Sequence, residues 1–229
     1  MSLKRILKFA FGRLRRPSAA RSSYAPVGDT YRGKMAEQYL QRRVTQEYWM
    51  LEQRTMDRLL ASLPRCQAVL DVPIGTGRFV PLYLARGLEV FGLDRSPDML
   101  SVARRELKEL FLRCRMQIGD AQRLPYRDAA FDLVVSFRFL SHVVSFAEAK
   151  AALGELRRVA RRAAFLQLRV RRPDVPAAGP IPEDEAMGDR LPVPDLTNLL
   201  HKNGFVVRDI VPLEGRETYY RAVFCCDAE

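Results

Sequence analysis

The stretch Val69-Leu70-Asp71-Val72-Pro73-Ile74-Gly75-Thr76-Gly77-Arg78 couples an apolar strand to a glycine turn and then to the start of a helix. That order decides the fold class. Gly75 and Gly77 have no Cβ, so the backbone can turn tightly there and lie against a ligand, and the free N–H groups of the following helix point to the same place. A nucleotide-like cofactor needs that geometry. The dinucleotide fingerprint reads G-x-G-x-x-G, and Val80 occupies its third glycine position, which argues against NAD and FAD.

Further stations follow in register. Glu89-Val-Phe-Gly-Leu-Asp94 is an apolar run ending in an acid, at the distance where a doubly wound sheet places a carboxylate to accept ribose hydroxyls. Ser96-Pro97-Asp98-Met99 reads as a helix start, with Ser96 as N-cap, Pro97 at the first helical position and Asp98 at the positive end of the dipole. Met116 to Ala121 is a short strand ending in Gly119-Asp120-Ala121. Phe131 to Ser136 is a continuous apolar strand of the kind buried on both faces.

This succession resembles the class I S-adenosylmethionine-dependent methyltransferases, whose first motif is an acid followed by spaced glycines. Asp71, Gly75 and Gly77 match that motif, and Pro73 stands where the family most often has its first glycine; a proline there fixes φ and removes a backbone donor. The resemblance covers residues 65 to 226. It implies an α/β fold: a doubly wound, Rossmann-like, seven-stranded sheet with helices on both faces and a C-terminal antiparallel hairpin. It also implies S-adenosyl-L-methionine as cofactor, held by Asp71, Pro73, Gly75, Gly77, Asp94, Arg95, Met99, Asp120, Ala121 and Ser136. Asp120 accepts from the adenine amine in that scheme. Phe139-Leu140-Ser141-His142-Val143 resembles the family's L-x-H-V segment, so His142 is the candidate general base; a structural histidine is the bland alternative. Arg138, Arg169, Tyr31 and Tyr39 are the candidate acceptor contacts, and the arginines suit a carboxylate or phosphate.

Composition fits one catalytic domain. A chain of 229 residues can bury a single sizeable core, and no apolar run approaches the length of a membrane span. Cys66, Cys114, Cys225 and Cys226 form no C-x-x-C pair and lack histidines at ligand spacing, so no metal site or disulfide framework is expected, and a cytoplasmic setting is the simplest reading.

The net charge of +11 is uneven. Residues 1–28 hold Lys4, Arg5, Lys8, Arg13, Arg15, Arg16 and Arg21 with no acid, leaving only +4 on the remainder. Placed on a helical wheel, Leu3, Ile6, Leu7, Ala10, Phe11 and Leu14 share one face, and Lys4, Arg5, Lys8, Arg15 and Arg16 crowd the other. Residues 1–17 therefore suit an anionic membrane surface; a solvated arm and a mitochondrial transit peptide are the alternatives. Residues 29–64 are expected to form a helical lid whose apolar stripe includes Met50, Leu51, Leu59 and Leu60, ahead of the catalytic domain at 65–229. The insertion from Arg171 to Pro194 is expected to wall the acceptor pocket. Overall, the sequence points to a methyltransferase acting on a small-molecule, lipid or glycan acceptor, anionic and at a membrane. A nucleic-acid or protein methyltransferase and an inactive binding module are the alternatives. Against base methylation, the fourth strand ends in Ser136-Phe137-Arg138-Phe139, without the Asn/Asp-Pro-Pro-aromatic segment that holds a flipped base.

Overall fold

The chain was analysed as a computed structural model, which describes residues 33, 38, 47–141, 144–177 and 179–228. The basic arm, Tyr31, Tyr39 and His142 lie outside the described residues. In chain order the elements are α1 (Glu47–Ser62), β1 (Ala68–Asp71), α2 (Val80–Ala85), β2 (Glu89–Asp94), α3 (Pro97–Leu107), α4 (Glu109–Leu112) and β3 (Cys114–Ile118). Then follow β4 (Phe131–Ser136), α5 (Phe146–Val159), β5 (Ala160–Arg171), α6 (Val193–Lys202), β6 (Phe205–Gly215) and β7 (Tyr219–Ala228).

The strands form a seven-stranded sheet in the order β3-β2-β1-β4-β5-β7-β6. Strands β1 to β5 pair in parallel, whereas β7 runs antiparallel to both β5 and β6. The expected doubly wound sheet with a C-terminal antiparallel pair is therefore observed. Winding proceeds outward through β2 and β3, then returns to the other side of β1 at β4. That reversal opens a crevice at the carboxyl ends of β1 and β4.

Side-chain alternation along the strands divides the core into two layers. Val69, Val90, Leu133, Val135, Phe165 and Val223 face α1 and α2, meeting Met56, Leu60, Val80 and Tyr83. Leu70, Val134, Ala164, Leu166 and Phe224 face the other way, against Leu153 and Leu156 of α5 and Leu196 and Leu200 of α6. Parallel strands buried on both faces need apolar residues at every position, and all of β4 is buried, including its two polar residues.

Helix starts follow their local chemistry. Ser96 accepts from the Met99 amide at 3.2 Å and Pro97 opens α3, as expected. Ser145 and Glu148 form a reciprocal capping box at the start of α5. Helix α5 stops at Val159, because Ala160 pairs with Phe131 and the chain has already entered β5. In α1 the buried stripe is Trp49, Glu52, Thr55, Met56, Leu59 and Leu60, whereas Met50, expected in that stripe, is exposed.

Asp132, at the opposite end of the sheet from the crevice, accepts from the amides of Gln67 at 2.7 Å and Ala68 at 3.3 Å and from Arg161 Nε at 2.9 Å. It ties the entry of β4 to the entries of β1 and β5.

Candidate cofactor-binding site

The crevice holds a cavity of about 220 Å³, walled by residues that follow β1, β2, β3 and β4. The glycine turn after β1 has positive φ at Gly75 (58°) and Gly77 (72°), a region that side chains with a Cβ rarely adopt. A Cβ on Gly75 would meet Met99 Cε at 3.3 Å, and one on Gly77 would strike Leu107 Cδ1 at 2.6 Å. The turn thus packs closely onto Met99 and Leu107 of α3 at its two glycines. Asp94 fastens it from β2: Oδ2 accepts from the Gly75 amide at 2.8 Å and Oδ1 from the Ser96 amide at 2.9 Å. Burial raises the pKa of Asp94, and the amide hydrogen bonds pull it back in part.

Asp71 ends β1 with its side chain buried, and the Tyr83 hydroxyl donates to its Oδ2 at 3.1 Å. Burial pushes its pKa up to about 7, against the Tyr83 hydrogen bond and the Arg78 charge, with Asp94 adding a smaller push upward. Asp120 turns back on its own loop, accepting from the Gln122 amide at 2.9 Å. Beside it, Leu93, Ala121, Phe139 and Val144 line an apolar part of the cavity.

The residues fit a group with three different ends. The apolar slot beside Asp120 would take a flat heterocycle whose amine needs an acceptor. Asp94 would accept from vicinal hydroxyls, and Asp71, whose pKa is pushed up to about 7, would gain from a cationic ammonium. S-adenosylmethionine has these parts, and when bound it supplies an electrophilic methyl group on a sulfonium.

Of the residues expected from sequence, Asp71, Pro73, Gly75, Asp94, Arg95, Met99, Asp120, Ala121 and Arg138 line this one cavity. Gly77 and Ser136 do not. Gly77 acts one step back, through the packing of the turn. Ser136, expected among the cofactor contacts, is fully buried, with its Oγ lacking a hydrogen-bond partner among the described residues. Arg169 lies outside the wall, its amide donating to Ser141 Oγ at 2.9 Å and its guanidinium 4.9 Å from the Tyr219 ring centre. No described residue between 171 and 194 lines this cavity. The backbone carbonyls of Glu185 and Glu183 accept from the first amides of α5, and the Gly188 amide donates to Ser141 O at 2.7 Å.

Sequence reading singled out Arg138 but not the buried network that holds it. Glu52, buried on α1, accepts from Arg78 Nη1 and Arg138 Nη2, both at 2.5 Å, and from Gln167 Nε2 at 2.5 Å. Burial opposes its ionisation, but the two guanidiniums and the hydrogen bonds from Arg138 and Gln167 outweigh it and hold the pKa at about 2. Arg78 and Arg138 both line the cavity, so this network joins α1 to the cavity wall. Arg138 is held there in a left-handed backbone conformation (φ 56°). The readable signals were a charged residue in the apolar stripe of α1 and a lone glutamine inside apolar β5.

Comparison with known proteins bears directly on this arrangement. Residues 69–163 match the methyltransferase-domain family. The demethylmenaquinone methyltransferase of Thermus thermophilus is 39% identical over 109 residues, covering 46% of this chain and 47% of that protein. A tRNA (carboxymethyluridine(34)-5-O)-methyltransferase of Xenopus tropicalis is 34% identical over 103 residues, 45% of this chain and 15% of that protein. The phosphatidylethanolamine N-methyltransferase of Cereibacter sphaeroides is 38% identical over 96 residues, 41% of this chain and 45% of that protein. The chain thus spans about half the length, or less, of these curated relatives. Among solved structures, magnesium protoporphyrin IX methyltransferase from Synechocystis, with S-adenosylhomocysteine bound, superposes with a TM-score of 0.64 at 20% identity, over 87% of this chain and 97% of that one. The matched span, the strand order and the carboxylate-lined glycine turn place residues 69–163 in the methyltransferase-domain family, on the fold of the class I S-adenosylmethionine-dependent methyltransferases.

Proposed function

We propose that this chain transfers the methyl group of S-adenosylmethionine to a nucleophile on a small-molecule or lipid acceptor. One observation carries the reading: Asp71, Asp94 and Asp120, brought from the ends of three strands, line a single cavity beside a positive-φ glycine turn. Methyl transfer needs little covalent help from the protein. The work is to align nucleophile, methyl carbon and sulfur in a dry site. Phe137, Phe139 and Val144 supply apolar wall on the side where β4 ends. His142 is assigned as general base for the acceptor's proton, with its neighbour Val144 on the cavity wall as support. The named acceptors of the relatives, demethylmenaquinone and phosphatidylethanolamine, support the small-molecule and lipid class.

The membrane-surface role belongs to residues 1–17, most of whose basic residues would fall opposite the apolar ones on a helical wheel. Deleting them is expected to abolish sedimentation with anionic liposomes while S-adenosylhomocysteine binding persists. Unchanged sedimentation would refute this role. A nucleic-acid acceptor is the second reading, favoured by the tRNA-modifying relative and the same basic arm. Incubation of the purified chain with methyl-labelled S-adenosylmethionine and fractionated cell extract separates the two. Label in the lipid or small-molecule fraction is expected; label confined to RNA would make the second reading the function.

A further inference from the structure

Arg78 follows the glycine turn and lines the cofactor cavity, with a side chain only 8% exposed. Helix α1 grips it at three points. Glu52 Oε2 accepts from Nη1 at 2.5 Å, Gln53 Nε2 donates to the Arg78 carbonyl at 2.9 Å, and the Trp49 ring centre lies 5.0 Å from the guanidinium carbon. The ring centres of Phe79 and Phe137 lie 4.2 and 5.6 Å from the same carbon. Such rings attract the charge, but they offer no oxygen to its N–H groups. Nη2 is buried and has no hydrogen-bond partner among the described residues. A buried donor in that state costs stability unless a bound group supplies the acceptor. Glu52 does not supply it: this one carboxylate is shared by two guanidiniums, and Arg138 gives both Nε and Nη2 to it.

The neighbour of Arg78 indicates which group that is. Asp71 lines the same cavity; burial raises its pKa, and the Arg78 charge pulls it back in part, so the two groups act on one another directly. A carboxyl beside a guanidinium matches an α-amino acid, whose ammonium and carboxylate hang from one carbon. S-adenosylmethionine ends in such a group, and a hydrogen bond between guanidinium and carboxylate is of the strong, charge-assisted kind. We infer that Arg78, anchored on Glu52 of α1, receives the carboxylate of the cofactor's amino-acid end through Nη2, beside the ammonium at Asp71. The assignment rests on the methyl-transfer reading. It adds to the strand-end acids a cofactor-binding cation that is held from α1.

Calorimetry on the full chain with two nucleosides tests it. S-adenosylhomocysteine carries the amino-acid end, whereas 5′-methylthioadenosine lacks it but keeps adenine, ribose and sulfur. Arg78→Gln should weaken S-adenosylhomocysteine binding at least tenfold, the scale of a lost hydrogen bond between charged groups, and change 5′-methylthioadenosine binding less than twofold. Equal S-adenosylhomocysteine affinity in Arg78→Gln, or the same loss for both ligands, would overturn the assignment. The wild type supplies a second arm that needs no variant to fold. Decarboxylated S-adenosylmethionine keeps the ammonium and the sulfonium, and it should bind at least tenfold more weakly than S-adenosylmethionine; equal affinities would overturn the carboxylate subsite. Failure of the wild type to bind any of these nucleosides would instead overturn the methyl-transfer reading.

Discussion

Asp71 concentrates the chemistry of the site into one ionisation. Unfolded, it titrates near the ordinary aspartate value of about 4; folded, burial holds its proton up to about pH 7. Between those values the native state carries the extra proton. Stability from this group therefore falls as the pH rises through that window and is lowest above it. A ligand ammonium beside the carboxylate favours its ionised form, so binding should expel the proton. At pH 6.5, calorimetry of S-adenosylhomocysteine in two buffers of different ionisation enthalpy should report release of up to about one proton. Asp71→Asn should abolish the buffer dependence. Equal enthalpies in both buffers for the wild type would remove Asp71 from the ammonium-binding role.

Helix α1 is fixed by more than its apolar stripe. Met56, Leu59 and Leu60 pack on the sheet, but Glu52 binds two guanidiniums that come from the turn after β1 and from the end of β4. Its lowered pKa means that this contribution is fully present above the ordinary glutamate range and is lost as the pH falls toward about 2. Glu52→Gln would leave Arg78 and Arg138 buried without their counter-ion, a cost of about 3 to 5 kcal/mol. In a chain of this size that should lower the melting temperature at pH 7 by roughly 10 °C, with the gap closing near pH 2. A variant as stable as wild type at pH 7 would show that the network is only packing. At the same scale, the helices and strands that sequence located best are those whose ends are local. Ser96-Pro97 announces α3, and the continuous apolar run of β4 needs no distant partner to be read. The Glu52 cluster was illegible for the opposite reason: its ion pairs join residues 26 and 86 positions apart, and no local pattern encodes such a meeting. The backbone hydrogen bonds that tie the 171–194 insertion to the start of α5 and to Ser141 are long-range as well, and no local pattern encodes them.

The whole molecule is a sheet whose reversal between β1 and β4 gathers three strand-end carboxylates around one cavity. Topology explains why so much of the site could be read beforehand. Each carboxylate stands at the end of a strand or in the loop just beyond it, so finding the strands finds the acids. It also explains what could not be read, because Gln167 of β5 meets Glu52 of α1 across the fold without any motif to announce the meeting. The same scaffold hosts many acceptors, and the fold does not choose among them. The central claim is that this cavity binds S-adenosylmethionine through those carboxylates. Calorimetry with S-adenosylhomocysteine on wild type and Asp94→Ala tests it most directly. Removing the ribose acceptor should cost about 1.5 to 3 kcal/mol, the range for a hydrogen bond to a charged group, with circular dichroism showing the fold intact. Wild-type affinity in a folded Asp94→Ala variant would contradict the account.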